Sequence, residues 1–187
     1  MTAPVTGLSN HDLQILLRER AEILCQSAVE GEKGETVSVL WFSLGQERYA
    51  LELSYLIETG RLAEIRYVPG APDHAPGVLN LRGELVPALN LRPLLGLEAK
   101  PLPKEVPVFL VLTFQGQKFA VAVDGTGEVV HLPIKALKAL PLSLTPAQAQ
   151  FAKGEVLLEN YPLTLLDAEK ILTAVLLPDS QGISEKP

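Results

Sequence analysis

The run Gly77-Val78-Leu79-Asn80-Leu81-Arg82-Gly83, followed at once by Glu84-Leu85-Val86-Pro87-Ala88-Leu89-Asn90-Leu91, decides how the chain is read. Two apolar-rich stretches flank Gly83-Glu84, and a glycine at the first central position suits a tight type II′ hairpin turn. Strand alternation sends Leu79 and Leu81 to one face and Val78, Asn80 and Arg82 to the other. Arg82 is therefore expected on a stiff strand, facing away from the core, beside a turn. A planar cation with five donors reads carboxylates and carbonyls well from such a position. The same residues also fit an ordinary solvated arginine on a half-buried hairpin.

Upstream, residues 36–44 and 49–53 alternate as strands about Gly45-Gln46-Glu47. Ser54 is placed to cap one helical turn over 55–57, and 58–67 reads as a further strand before the Val68-Pro69-Gly70-Ala71-Pro72 break. Downstream, Pro93 suits the first turn of a short helix over 93–97. After the Lys100-Pro101-Leu102-Pro103-Lys104 linker the pattern begins again. Residues 106–114 read as a buried-type strand, and 119–123 and 128–132 as two more. Residues 133–146 read as a long connection. A last hairpin over 151–158 and 161–166 and a closing helix over 167–172 complete the chain.

The two halves overlay. Gly45-Gln46 matches Gly116-Gln117, Tyr49-Ala50-Leu51 matches Phe119-Ala120-Val121, and Glu58 matches Glu128, at an offset of about 70 residues. Gly77 matches Gly154 and Leu89-Asn90 matches Leu166-Asp167 at about 77. Each half holds about five short strands, and small antiparallel units of that kind close into barrels to remove exposed edges. A unit that small has a marginal core alone, so the two are expected to share an interface with a groove between them. The expected division is a leader at 1–35, a domain at 36–173 with one subdomain at about 36–98 and a second at about 105–173, and a loose tail at 174–187. The leader carries an amphipathic helix over roughly 9–30, which either packs on the domain or serves a partner.

Composition bounds the function. The chain has 187 residues, 47% hydrophobic and 20% charged, which is enough apolar material for a real core. A net charge of −6 argues against a nucleic-acid surface and gives no attraction to anionic lipid. Cys25 is the only cysteine, so no internal disulfide forms. Met1 to Asn10 shows neither a basic region nor an apolar run, and no stretch reaches the ~20 apolar residues of a membrane span, so a cytoplasmic location is expected.

Chemistry is sparse. His11, His74 and His131 lack ligand spacing, and Cys25 has no adjacent base, so no metal and no cofactor is expected. Gly125-Thr126-Gly127 lacks the third glycine and the helix of a phosphate loop. Asp124-Gly125 is read as a turn between antiparallel strands. With no catalytic constellation, weight moves from enzyme to binding module.

The chain resembles the CheW-like family of chemosensory coupling adaptors. The resemblance rests on Phe42-x-Leu44-Gly45, Tyr49-Ala50-Leu51, Leu56-x-Glu58, Gly77-Val78-x-Asn80-Leu81-Arg82-Gly83 and Val86-Pro87-x-Leu89-x-Leu91-Arg92. In the second half it rests on Ala122-Val123-Asp124-Gly125-x-x-Glu128-Val129 and Leu165-Leu166-Asp167-x-Glu169-Lys170-Ile171-Leu172. Asn90 and Ala120 depart from the family's usual aspartate and glycine. The resemblance implies a mainly β fold of two five-stranded SH3-like barrels and no catalysis. It implies bridging of the regulatory domain of a CheA-type histidine kinase to the cytoplasmic tip of a methyl-accepting chemoreceptor. The partner-binding residues it implies are Leu56, Glu58, Gly77, Asn80, Arg82 and Gly83, with Glu58 and Arg82 expected to pair across neighbouring strands. The competing reading is a small-ligand or peptide sensor that uses the groove between the barrels.

Overall fold

The computed structural model describes residues 35–98, 100–141, 144–158 and 160–176; the expected leader helix, with His11 and Cys25, and residues 177–187 lie outside the described residues. The first-half strands are β1 (Thr36–Leu44), β2 (Glu47–Glu52), β3 (Leu56–Tyr67), β4 (Gly77–Leu81) and β5 (Glu84–Asn90). The second-half strands are β6 (Glu105–Phe114), β7 (Gln117–Val123), β8 (Gly125–Pro133), β9 (Ala152–Leu158) and β10 (Tyr161–Leu166). Three short helices are α1 (Leu91–Leu94), α2 (Pro146–Phe151) and α3 (Ala168–Leu176).

The strands do not sort by halves. One sheet is a closed barrel in the order β3-β4-β5-β7-β6, and the other runs β8-β1-β2-β10-β9. Each takes three strands from one half of the chain and two from the other. The expected boundary between subdomains at 98–105 therefore does not separate the sheets. The parallel pairs β5–β7, with Leu89 opposite Val121, and β2–β10, with Leu165 opposite Ala50, join the halves. In the second sheet the segment after β8 reaches the edge strand β9 through an isolated antiparallel bridge between Lys138 and Glu155, whose backbones exchange bonds of 2.9 and 3.2 Å.

Alternation along the strands builds three cores. Phe109, Val111, Ala120 and Ala122 point into the closed barrel with Ile65, Leu79 and Val86. Val39, Ala50, Leu163 and Leu165 point into the second sheet's interior. The remaining faces meet between the sheets: Leu40, Phe42, Tyr49 and Leu51 from one, Leu110, Leu112, Phe119 and Val121 from the other, closed by Leu91, Phe151 and Ile171 of the helices. Strands such as β6 and β7, buried on both faces, read as continuous apolar runs for this reason. The space between the sheets is thus filled by a hydrophobic layer, not left as the expected groove.

Helix boundaries follow local chemistry. Asn90 accepts from the Arg92 N–H at 3.2 Å and starts α1 two residues before Pro93. Thr145 and Gln148 form a capping box with Pro146 in the first turn, which makes α2 a helix inside the expected connection. Asp167 Oδ1 accepts the Lys170 N–H at 3.2 Å ahead of α3, which runs through Leu176, past the expected start of the tail.

Asp124 sits where the chain leaves the closed barrel for the second sheet, so it is a crossover and not a turn between paired strands. Its Oδ2 accepts from Arg92 Nη2 and from the Gly45 N–H in the β1–β2 turn, both at 2.5 Å. Burial pushes the Asp124 carboxyl up, but the Gly45 N–H and the Arg92 guanidinium outweigh it and hold the carboxyl below the ordinary aspartate range. A carboxyl lowered in the folded state adds stability above its unfolded value and loses it as pH falls through its folded value. Asp124→Asn should therefore flatten the decline of the urea midpoint below about pH 4; curves of identical slope for both proteins would show that the tie contributes nothing.

Because each sheet borrows strands, fragments 36–104 and 105–176 should each lack a cooperative thermal transition by circular dichroism and recover one when mixed. Cooperative melting of either fragment alone would contradict the exchange.

Candidate functional site

One end of the closed barrel gathers side chains from all five of its strands. β3 pairs with β6 as Leu56 opposite Leu112 and then Glu58 opposite Val111, so Ile57 is an extra residue in a bulge. A bulge turns the strand locally and re-aims its side chains. Leu56 is drawn towards the core between the sheets, whereas Ile57 is left 47% exposed. The short 3-10 turn covers Leu53–Tyr55, two residues earlier than the expected 55–57, which leaves Leu56 and Ile57 inside β3.

The β4–β5 turn differs from expectation. Leu81 faces Glu84, so the central pair is Arg82-Gly83, with φ of 51° and 92°. Positive φ at both positions is the type I′ signature, not the type II′ turn over Gly83-Glu84. Its twist matches the flanking strands, and the Asn80 side chain fixes it by accepting the Gly83 N–H at 2.8 Å. Arg82 is thus a turn residue and not a strand residue, held in a left-handed conformation that disfavours a side chain.

From there Arg82 Nη2 donates to Glu58 Oε2 at 2.8 Å, as the sequence predicts. The arginine side chain is 85% exposed and the glutamate 32%. Beside them Lys118 of β7 donates to Glu84 of β5. The two ion pairs rim a shallow depression of about 160 Å³ floored by Ile57, Leu81 and Val111. Leu85, on the outer side of β5, is 63% exposed.

Of the residues singled out in sequence, the structure brings together Glu58, Arg82, Asn80 and Gly83. Leu56 lies next to them but is half-buried. Gly77 is at the opposite end of β4, and a Cβ there would fall 2.3 Å from the Arg66 carbonyl, so its smallness serves the approach of β3. Lys118, Glu84, Ile57 and Leu85 were not legible as site residues. Lys118 comes from the other half of the chain, and Glu84-Leu85-Val86 does not reveal in sequence which apolar residue faces out. Among the described residues no group of three or more histidine, cysteine or acidic side chains is placed to hold a metal ion.

The class defined by this architecture is a twin-sheet β module whose marked surface is a charged rim around exposed aliphatic side chains. The family model described as the CheW-like domain matches residues 38–176, and the chain belongs to that family. It is 29% identical to the chemotaxis protein CheW of Klebsiella aerogenes over 75% of this chain and 86% of that one. It is 24% identical to the chemotaxis protein CheW of Treponema pallidum, over 75% and 84%. The crystal structure of the scaffolding protein TtCheW from Thermoanaerobacter tengcongensis superposes with a TM-score of 0.61 at 23% identity, covering 71% of this chain and 89% of that one.

Arg82→Asn removes an exposed ion pair worth ~0–1 kcal/mol and relieves a backbone strain of similar size. The urea midpoint should stay level or rise. A loss beyond about 1 kcal/mol would show that the pair holds the fold together.

Proposed function

We propose that this chain is a chemosensory coupling adaptor that joins the cytoplasmic tip of a methyl-accepting receptor to the regulatory domain of a CheA-type histidine kinase. It acts in the cytoplasm and performs no reaction itself. The rim at the end of the closed barrel, built by Arg82, Glu58, Asn80 and Gly83 with Ile57 and Leu85, is the coupling surface. Among the described residues no helix is long and apolar enough to cross a membrane, in keeping with partners that bring the membrane connection themselves.

The observation that carries this reading is the exposure and strain of Arg82. A non-glycine residue at φ 51° costs free energy, and an ion pair with one member 85% exposed returns little of it. The hairpin needs that backbone but not an arginine, since Gln115 meets the same φ of 51° in the β6–β7 turn, whereas a partner gains an oriented guanidinium beside two exposed aliphatic side chains. Covering an aliphatic side chain the size of Ile57 or Leu85 is worth roughly 1.5–3 kcal/mol at most, a scale suited to reversible contacts that add up in an array.

Binding of the purified chain to a CheA-type regulatory domain and to a receptor-tip fragment tests the reading directly. Arg82→Asn and Leu85→Ser should each weaken at least one of the two by about tenfold or more, with unfolding midpoints not lowered. Full affinity in both variants, or no binding by the parent chain, would remove the proposal.

A further inference from the structure

A second polar cleft, of about 260 Å³, lies on the other sheet, where β2, β9 and β10 meet α2. Thr164 crosses it, in register with Tyr49 on one side and Glu155 on the other. One wall is fixed. Tyr49 donates to Glu47 Oε2 at 2.5 Å, and Gln148 Nε2 donates to the same oxygen at 2.6 Å and to the tyrosine oxygen at 2.9 Å. Gln148 is 4% exposed, and its carbonyl accepts the Thr145 N–H at 2.9 Å, so its amide cannot turn. The Glu47 carboxylate is thereby held by one oxygen.

Thr164 is 6% exposed and its hydroxyl has no hydrogen-bond partner among the described residues. Among the described residues no fully buried side-chain polar atom lacks a partner, so that oxygen reaches the cleft it lines. Glu155 is half-buried and makes no ion pair among the described residues. Lys138 meets it only through the backbone bridge. Arg48, next in sequence to Glu47, is instead stacked on Trp41 and Tyr161, 5.0 and 4.2 Å from their ring centroids, and forms no ion pair among the described residues.

The cleft thus presents the Glu47 and Glu155 carboxylates and the Thr164 hydroxyl from three strands, with the Gln148 amide already used; Gln46 and Arg48 also line it, the Arg48 guanidinium held over the Trp41 and Tyr161 rings. A compact cation with several N–H donors complements that set. The volume falls below that of sites for drug-sized ligands, so one side-chain-sized group fills it. We propose that the Glu47–Thr164–Glu155 cleft binds an alkylammonium group, carried by a free amine or by a lysine side chain.

The test titrates the full chain with N-acetyl-lysine methylamide, with n-butylamine and with the uncharged N-acetyl-norleucine methylamide, followed by calorimetry. The lysine amide should bind, the norleucine amide should not, and Glu155→Gln and Thr164→Val should each weaken binding about tenfold while circular dichroism and Arg82-dependent partner binding stay unchanged. Binding of butylamine as well would assign the site to free amines, and binding of the lysine amide alone to polypeptide. Failure of both amines to bind, equal binding of norleucine amide, or an undiminished affinity in Glu155→Gln would overturn the proposal.

Discussion

Two short parallel pairings carry the architecture. β5 lies beside β7, and β2 beside β10, and each pairing puts a strand of one half into the other half's sheet. Antiparallel hairpins form between sequence neighbours and need only a turn. The parallel pairs require chain from opposite ends of the repeat, so they form only when the halves come together. Once they do, β7 contributes Phe119 and Val121 to the layer between the sheets and Ala120 and Ala122 to the barrel interior. A half-length unit has too little surface to bury for independent stability. Exchange resolves that shortage by making each strand serve two cores.

The duplicated pattern produces two bulges at matching places and two different outcomes. In β3 the extra residue is Ile57, and in β8 the register against β1 slips across Gly127. At the first, side chains leave a shallow depression under Arg82. At the second, the Trp41 ring lies where a Cβ on Gly127 would stand, 1.7 Å away, and Arg48 stacks over that ring. Trp41 and Val111 occupy matching positions in the repeat, as do Arg48 and Lys118. The tryptophan therefore plugs in one sheet the space that valine leaves open in the other. The two ends repeat the same bulge and differ in what fills it, Ile57 and Val111 at one and Gly127 and Trp41 at the other.

What the sequence makes legible follows from this geometry. Period-2 alternation and glycine-containing turns placed the hairpins, and the offset between Tyr49-Ala50-Leu51 and Phe119-Ala120-Val121 revealed the repeat. The pairing of Arg82 with Glu58 was readable because the two lie on adjacent parts of one half. Strand exchange was not readable, because periodicity reports which face a residue takes and says nothing about which strand lies beside it. The same limit hid Lys118 from the site. The turn was misplaced by one residue because Arg82-Gly83 violates the usual Asn-Gly preference for type I′. α2 is hard to read in sequence although Thr145-Pro146-x-Gln148 carries its start signal, because Pro133, Pro141 and Pro146 give the stretch the look of a connection.

That departure from turn preference separates structural need from surface need. The β6–β7 hairpin uses Gln115-Gly116 at φ of 51° and 76°, nearly the same geometry as Arg82-Gly83 at 51° and 92°. The β9–β10 hairpin places Asn160 at φ 67°, the residue type that best tolerates the left-handed region. The turn geometry itself is thus indifferent to a guanidinium. At the first turn position the same φ is met by glutamine and by arginine, and of these two the arginine stands opposite a glutamate re-aimed by a bulge. Two independent irregularities, a left-handed side chain and an extra strand residue, converge on a single exposed ion pair. The two-residue turn and the repeated bulge belong to the fold, but neither requires a guanidinium, so the arginine at that spot accords with the coupling surface proposed above.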